Sequence, residues 1–217
     1  MPYYNAVKTS YITIASSAFS EIEIQRSRFL GNAWPCETEE DAIRHIKETK
    51  EKMADARHHC YAYIIGLNAG IIRYNDDGEP GGTAGLPILN ILRNQKIVNC
   101  CVVVTRYFGG ILLGTGGLVR AYSQTAKDVI DAAGIVIMEK TMRDLCEIPY
   151  SAWESVRYYL QHQTSQISNV EYGSTITFTL FTRAEERDKI IAGMENATGR
   201  QVLILPEETM YYPWKQN

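Results

Sequence analysis

No stretch of this 217-residue chain approaches the roughly 20 consecutive apolar residues needed to cross a bilayer. Met1 to Ser20 carry one Lys and no apolar core, so a secretory leader is not expected there either. Both absences imply a cytoplasmic protein without a membrane partner. Disulfide staples are equally unexpected. The five cysteines (Cys36, Cys60, Cys100, Cys101, Cys146) are an odd number, none forms C-x-x-C, and Cys100-Cys101 sit inside an apolar run. They read as core cysteines in a reducing compartment, and a zinc site is not expected. Basic excess is missing too. There are 22 Lys and Arg against 25 Asp and Glu, net −3; up to residue 140 the counts are 15 and 15, and beyond it 7 and 10. A protein held on nucleic acid by bulk charge usually shows the opposite balance, so any phosphate recognition must be local.

What is present is ordinary globular composition, 45% hydrophobic and 22% charged, with one unusual region. Nine of the 16 glycines (Gly78, Gly81, Gly82, Gly85, Gly109, Gly110, Gly114, Gly116 and Gly117) fall within 78–117. Around it the pattern reads as regular elements. Ser20–Ile24 alternates as a strand. Glu37–Met53 is a helix opened by Thr38-x-x-Asp41 and closed by lysines, with Ala42, Ile43, Ile46 and Met53 inward. Cys60–Ile65 and Ile71–Tyr74 are strands, and Thr83–Asn94 a helix that tolerates Pro87 in its first turn. Val98–Thr105 is a strand buried on both faces. Leu118–Ala133 is a helix with Leu118, Val119, Tyr122, Ala126, Val129 and Ile130 inward and Gly134 at its end. After residue 140 the order changes to strand (Leu145–Pro149), helix (from a Ser151-x-x-Glu154 box), strand (Gln166–Tyr172), strand (Ser174–Phe181), helix (from a Thr182-x-x-Glu185 box) and strand (Gln201–Leu205, stopped by Pro206). That β-α-β-β-α-β succession is the ferredoxin-like pattern. The expected organisation is an α+β chain with a domain over 1–140, a ferredoxin-like domain over 141–205 and a tail over 206–217.

Two polar, glycine-rich stretches carry the candidate chemistry, 75–87 and 106–117. A strand, a glycine loop and a helix start can gather backbone N–H groups for an anion. The candidate phosphate contacts are Arg106, Gly109, Gly110, Gly114, Thr115, Gly116, Gly117, Arg120 and Lys127, with Thr83 from the first stretch. Arg106 and Arg120 suit bidentate contacts. Asp76, Asp77 and Glu79 suit a magnesium ion or a general base. Each group has a plainer reading. The glycines also serve tight turns and close packing, Asp-Asp-Gly is common turn chemistry, and Arg106 is equally suited to an internal ion pair. Nucleotide motifs are missing: there is no G-x-x-x-x-G-K-[ST], and Gly114-Thr-Gly116 has Val119 where a third glycine belongs. His58-His59 point to opposite faces of a strand and do not suit one metal. Tyr61, Tyr63 and the run Tyr211-Tyr212-Pro213-Trp214 are read as docked on their own domain, with base stacking as the alternative.

The blocks Asp76-Asp-Gly-Glu-Pro-Gly-Gly-Thr-Ala-Gly-Leu-Pro-Ile-Leu89 and Val103-Val-Thr-Arg-Tyr-Phe-Gly-Gly-Ile-Leu-Leu-Gly114 resemble the signature of the IMPACT/YigZ family, with residues 141 onward similar to the second domain of its bacterial members. The resemblance implies a ribosomal protein S5 domain 2-like fold for the first domain and an elongation factor G domain V-like fold for the second. It also implies kinship with eukaryotic proteins that regulate translation under amino-acid stress with the help of an additional N-terminal domain. No catalytic residue set comes with it.

The expectation is therefore a non-catalytic, cofactor-free, translation-linked regulator contacting RNA, the ribosome or a translation factor through Arg106, Arg120 and Lys127. The alternative is a Mg²⁺-dependent enzyme or binder of a phosphorylated small molecule at the glycine loops. A third reading has the ferredoxin-like sheet mediating protein association.

Overall fold

The computed structural model describes residues 9–214. The start of the Met1–Ser20 segment and the last three tail residues lie outside that range. By contacts the described residues divide into two compact units, Tyr11–Ile137, and 138–214 together with Thr9 and Ser10. No helix among the described residues is long and apolar enough to cross a membrane.

In chain order the elements are β1 (Ser10–Ile14), β2 (Ala18–Ile24), β3 (Ser27–Pro35), α1 (Glu39–Lys52), β4 (His58–Ile65), β5 (Ile71–Asn75), α2 (Gly85–Asn94), β6 (Cys100–Tyr107), α3 (Gly114–Ala133), β7 (Ile135–Ile148), α4 (Trp153–Gln161), β8 (Ser165–Tyr172), β9 (Ile176–Arg183), α5 (Arg187–Ala197) and β10 (Leu203–Pro213).

The first unit is built on a sheet ordered β2-β3-β6-β4-β5, antiparallel throughout. The central strand β6 is buried from Cys100 to Arg106, which explains its unbroken apolar run. Its alternate residues feed two cores. Cys100, Val102 and Val104 join Ile88, Leu92, Tyr122 and Ile130 from α2 and α3. Cys101 and Val103 join Ala42 and Ile46 of α1 with Tyr63. Thr38 caps α1 by accepting the Asp41 amide at 3.1 Å, and Trp34 stacks on His45 at 4.7 Å to seat the helix. This is the ribosomal protein S5 domain 2-like fold. The second unit carries strands ordered β10-β7-β9-β8, with α4 and α5 packed over Cys146, Ile148, Phe178 and Leu180. Numbered within the unit, that order is 4-1-3-2, the ferredoxin-like arrangement.

The structure departs from the sequence pattern in several places. β3 was not anticipated, because Gly31 and Asn32 interrupt its alternation. Gly31 is there because a Cβ would lie 2.8 Å from Ser20 Oγ and 2.9 Å from Thr125 Cγ2 where α3 crosses the sheet. β1 was also missed. Ile43 and Val119, expected inward, are 54% and 37% exposed, since the contact lines of their helices run through Ala42–Ile46–Thr49 and Leu118–Tyr122–Thr125 instead. Helix α3 begins at Gly114, so three glycines expected in a loop lie in its first turn. The Ser151 and Thr182 boxes cap nothing. Ser151 lies in a 3₁₀ turn ahead of α4, and Thr182 is a buried residue of β9. β7 starts ten residues before Leu145, and β10 passes through Pro206 to Pro213, so most of the expected tail is strand. Pro206 is accommodated because the β10–β7 register shifts between Pro206 and Glu208, and a bulge has no need of its missing N–H.

The start of α2 makes a stability test. A Cβ on Gly85 would lie 2.7 Å from the Asn75 backbone, whereas one on Gly81 would meet nothing within 4 Å. Gly85→Ala is expected to cost about 1–3 kcal/mol in urea unfolding, and Gly81→Ala to stay within about 0.5 kcal/mol. Equal effects of the two would contradict this packing.

Candidate functional site

The two glycine-rich stretches form the β5–α2 loop and the β6–α3 loop of the first unit, and they are tied together from the inside. Asp76 turns back on its own loop. Its Oδ1 accepts the amides of Ala84 (3.0 Å) and Gly85 (2.8 Å), and its Oδ2 that of Gly82 (2.8 Å). The carboxylate thus serves as an internal anion at the start of α2. Asp77, held at φ +42° beside Gly78 at +88°, faces the other way. It takes Lys50 Nζ at 2.8 Å and the His59 amide at 2.8 Å, while its carbonyl accepts from His58 Nδ1 at 2.8 Å. Burial pulls the Asp77 carboxyl up, but Lys50 and the His59 amide more than offset it and leave it below the ordinary range. Thr83 is buried and donates to Pro80 O at 2.6 Å.

Glu79 is the centre of the arrangement. Its Oε1 accepts from Arg106 Nη1 at 2.7 Å and from Tyr122 OH at 2.8 Å. Arg106 Nη2 reaches Ser27 Oγ at 3.3 Å, and the same hydroxyl accepts the Gly109 amide at 3.2 Å. The guanidinium is 5.4 Å from the ring centres of both Phe29 and Phe108, and its buried Nε has no hydrogen-bond partner. Beneath it, Cys60 Sγ lies 3.0 Å from Asp76 O and 3.4 Å from Tyr122 OH. Burial pushes the Cys60 thiol up to about 12 and the Tyr122 phenol far above its usual range, so neither is poised as a nucleophile. Cys60, Ser27, Phe29 and Phe108 were not legible as members of a polar cluster. They meet only because β3, β4 and β6 pair, and of the whole group Tyr122 alone was signalled by helical periodicity.

These contacts correct two expectations. Asp76, Asp77 and Glu79 do not converge as metal ligands, because each is consumed by different protein donors. Among the described residues no cluster of three His, Cys, Asp or Glu side chains could hold a metal ion. Arg106 is not a surface clamp. At 5% exposure it faces Glu79, and it does not line the cavity that Arg120 and Lys127 flank. The Gly109 amide is likewise taken internally. Gly110, Gly114, Thr115 and Gly116 remain exposed and Gly117 half-buried. The amides from Gly110 to Leu113 have no partner among the described residues. Arg120 and Lys127 are exposed on α3; Arg120 leans back over the first turn, Nη1 being 4.0 Å from where a Cβ on Gly116 would sit. Lys127 pairs with Asp131 at 2.8 Å, a solvent-exposed pair worth little. Between Arg120 and Lys127 opens a cavity of about 580 Å³, walled by Ile24, Ile91, Leu113 and Val119.

The aromatic candidates dock at home. Tyr63 is buried with its hydroxyl donating to Glu39 at 2.7 Å, and Tyr61 runs parallel to it at 6.0 Å. Tyr212 stacks on Phe181, and Trp214 is buried with Nε1 donating to Thr141 Oγ1 at 2.9 Å.

Removing one member of a buried ion pair leaves the other uncompensated. Arg106→Ala and Glu79→Gln are each expected to destabilise by up to about 3–5 kcal/mol in urea unfolding, and the double variant by clearly less than their sum. Additive losses would contradict a coupled pair. A pH dependence also follows. Burial, followed in size by opposition from Asp77, leaves His59 with a lowered pKa, and burial lowers His45 as well. The unfolded chain therefore takes up protons first, so stability is full above about pH 6.5 and falls as pH drops toward the folded values. His59→Gln should flatten part of that acid-side loss in urea midpoints, with His45 supplying the rest; an unchanged slope would contradict it.

Comparison with known proteins agrees with the geometry of both units. The Impact N-terminal domain model matches residues 25–130, and a domain of unknown function (DUF1949) matches residues 146–200. The chain is 34% identical over 203 residues to the IMPACT family member YvyE of Bacillus subtilis, covering 93% of each. It is 43% identical over 102 residues to the IMPACT family member YigZ of Escherichia coli, 46% of this chain and 50% of that one. A solved structure described as the crystal structure of an hypothetical protein superposes with a TM-score of 0.60 at 27% identity, covering 93% of this chain and 99% of that chain. With a buried Glu79–Arg106 pair joining its two signature blocks and a relative matched along nearly its whole length, this chain belongs to the IMPACT family.

Proposed function

We propose that this chain is a non-catalytic, cytoplasmic, translation-linked regulator that contacts the ribosome, its RNA or a translation factor through the outer face of α3. The observation that carries the reading is that face itself. Arg120 and Lys127 lie two helical turns apart, exposed beside an apolar cavity, while the polar residues of the signature loops are engaged inside the fold. Family kinship and the pairing of an S5-like with an elongation-factor-like unit point to translation. The near-neutral charge of the first unit calls for a small local footprint and not broad electrostatic attraction.

Cosedimentation of the purified chain with ribosomes at low salt is expected to show saturable association that weakens as salt rises. Arg120→Ala with Lys127→Ala should lower the binding and reduce the salt slope by about one for each phosphate no longer neutralised. Retention no greater than that of an inert acidic protein of similar size would end this reading.

A second reading draws on the unpartnered amides of Gly110 to Leu113, which lead into the start of α3 and would suit a phosphorylated small molecule. Thermal-shift screening with nucleotides and sugar phosphates tests it, since a bound ligand raises the melting temperature by mass action. Asp76, Asp77 and Glu79 are each engaged inside the fold, and no three-residue metal cluster stands beside this loop among the described residues.

A further inference from the structure

We infer that the cavity along α3 is a docking groove for a short protein segment carrying leucine-like side chains flanked by carboxylates. The inference deepens the α3 reading above and rests on it, choosing a protein partner over nucleic acid. Ile24, Ile91, Leu113 and Val119 give the groove aliphatic walls beside the polar Gln25, Ser123 and Gln124, and among the described residues no aromatic side chain lines it. Bases are usually gripped by stacking on aromatic or guanidinium planes, and one guanidinium beside aliphatic walls is a poor platform for them. Branched aliphatic side chains suit such walls.

The charges select the partner's sign. Arg120 and Lys127 are the ionisable residues lining the groove, and both are cationic, though Lys127 is already paired with Asp131 and Arg120 carries the selection. Arg120 has no ion-pair partner among the described residues. A second groove of this unit, of about 470 Å³ between α1 and β4, carries Glu51 among its lysines and offers no such polarity. Its lysines Lys47 and Lys50 are already paired with Glu51 and Asp77. A free cation beside an apolar floor favours a carboxylate next to an apolar anchor.

The surface also continues past the groove. Leu112 is 86% exposed and Ile111 40% exposed, immediately ahead of the lining residue Leu113. Both loops that set this position are fastened from within by the Glu79–Arg106 pair and the Ser27–Gly109 contact. Such apolar side chains held outward on a fastened loop suit a partner longer than a single small molecule.

The probe is a fluorescein-labelled synthetic amphipathic helix with leucines at i, i+3 and i+4 spacing and glutamates between them, measured by anisotropy with the full chain at physiological salt. Saturable binding is expected, weakened about tenfold by Arg120→Glu and by Val119→Asp. Lys47→Glu in the other groove should leave it unchanged. The same peptide with lysines replacing glutamates should bind at least about tenfold more weakly. Both groove positions are exposed, and circular dichroism confirms that the variants are folded. The inference is overturned by absence of binding, by an affinity indifferent to both groove variants, or by equal binding of the lysine peptide. It is also overturned if decanoate or a single-stranded RNA, but not the peptide, is lost on Arg120→Glu. Ribosome cosedimentation of the same variants separates the two levels. Peptide binding without ribosome association leaves the groove standing and removes the translation reading, whereas ribosome association without peptide binding does the reverse.

Discussion

Glu79 and Arg106 sit 2.7 Å apart with 4% and 6% of their side chains exposed, one on the β5–α2 loop and the other at the end of β6. Two glycine-rich loops that are distant in sequence depend on this contact for their mutual position. Burying both charges is costly, and further partners from three elements offset part of that cost. Tyr122 donates to Glu79 from α3, Ser27 meets Arg106 from β3, and Phe29 and Phe108 lie against the guanidinium. The unpartnered Nε is a residual cost that the flanking ring faces offset in part. The network therefore contributes register more than raw stability, drawing β3, the β5–α2 loop, β6 and α3 to one point.

That arrangement changes what the most distinctive residues of the chain do. A run such as Asp76-Asp77-Gly78-Glu79 looks like a metal or phosphate loop, yet its three carboxylates are turned to three internal tasks. Asp76 neutralises the start of α2, Asp77 receives Lys50 and the His59 amide, and Glu79 pairs with Arg106. Side chains that polar loops usually offer to a ligand are here consumed in holding the loops still. What the loops present outward is apolar, Ile111 and Leu112, with the cations of α3 alongside.

The second unit uses its polar and aromatic residues in a similar way. Asp144 is fully buried and bound by Arg187 through contacts of 2.7 to 3.2 Å, which fastens β7 to the start of α5. Trp214 closes the end of β10 by donating to Thr141 beneath the Arg183 guanidinium. Aromatic residues near the C-terminus that resemble a base-stacking run are thus part of the unit's own packing.

Periodicity alone determined the helices α1 to α3, the strands β4 and β6, and the β-α-β-β-α-β order of the second unit, because these depend on local spacing of apolar side chains. Strand β3 escaped it, since its glycine answers to α3 crossing overhead and not to its neighbours in sequence. The extent of β10 escaped it as well, because a register shift across the strand pair makes room for Pro206. Among site residues, the sequence marked the loops and the face shared by Arg120 and Lys127. Whether Arg106 meets a ligand or a carboxylate was open until strand pairing set it opposite Glu79. A charged side chain adopts whichever partner the fold brings within 3 Å, and that choice is made by contacts 27 residues away along the chain, beyond the reach of any local pattern.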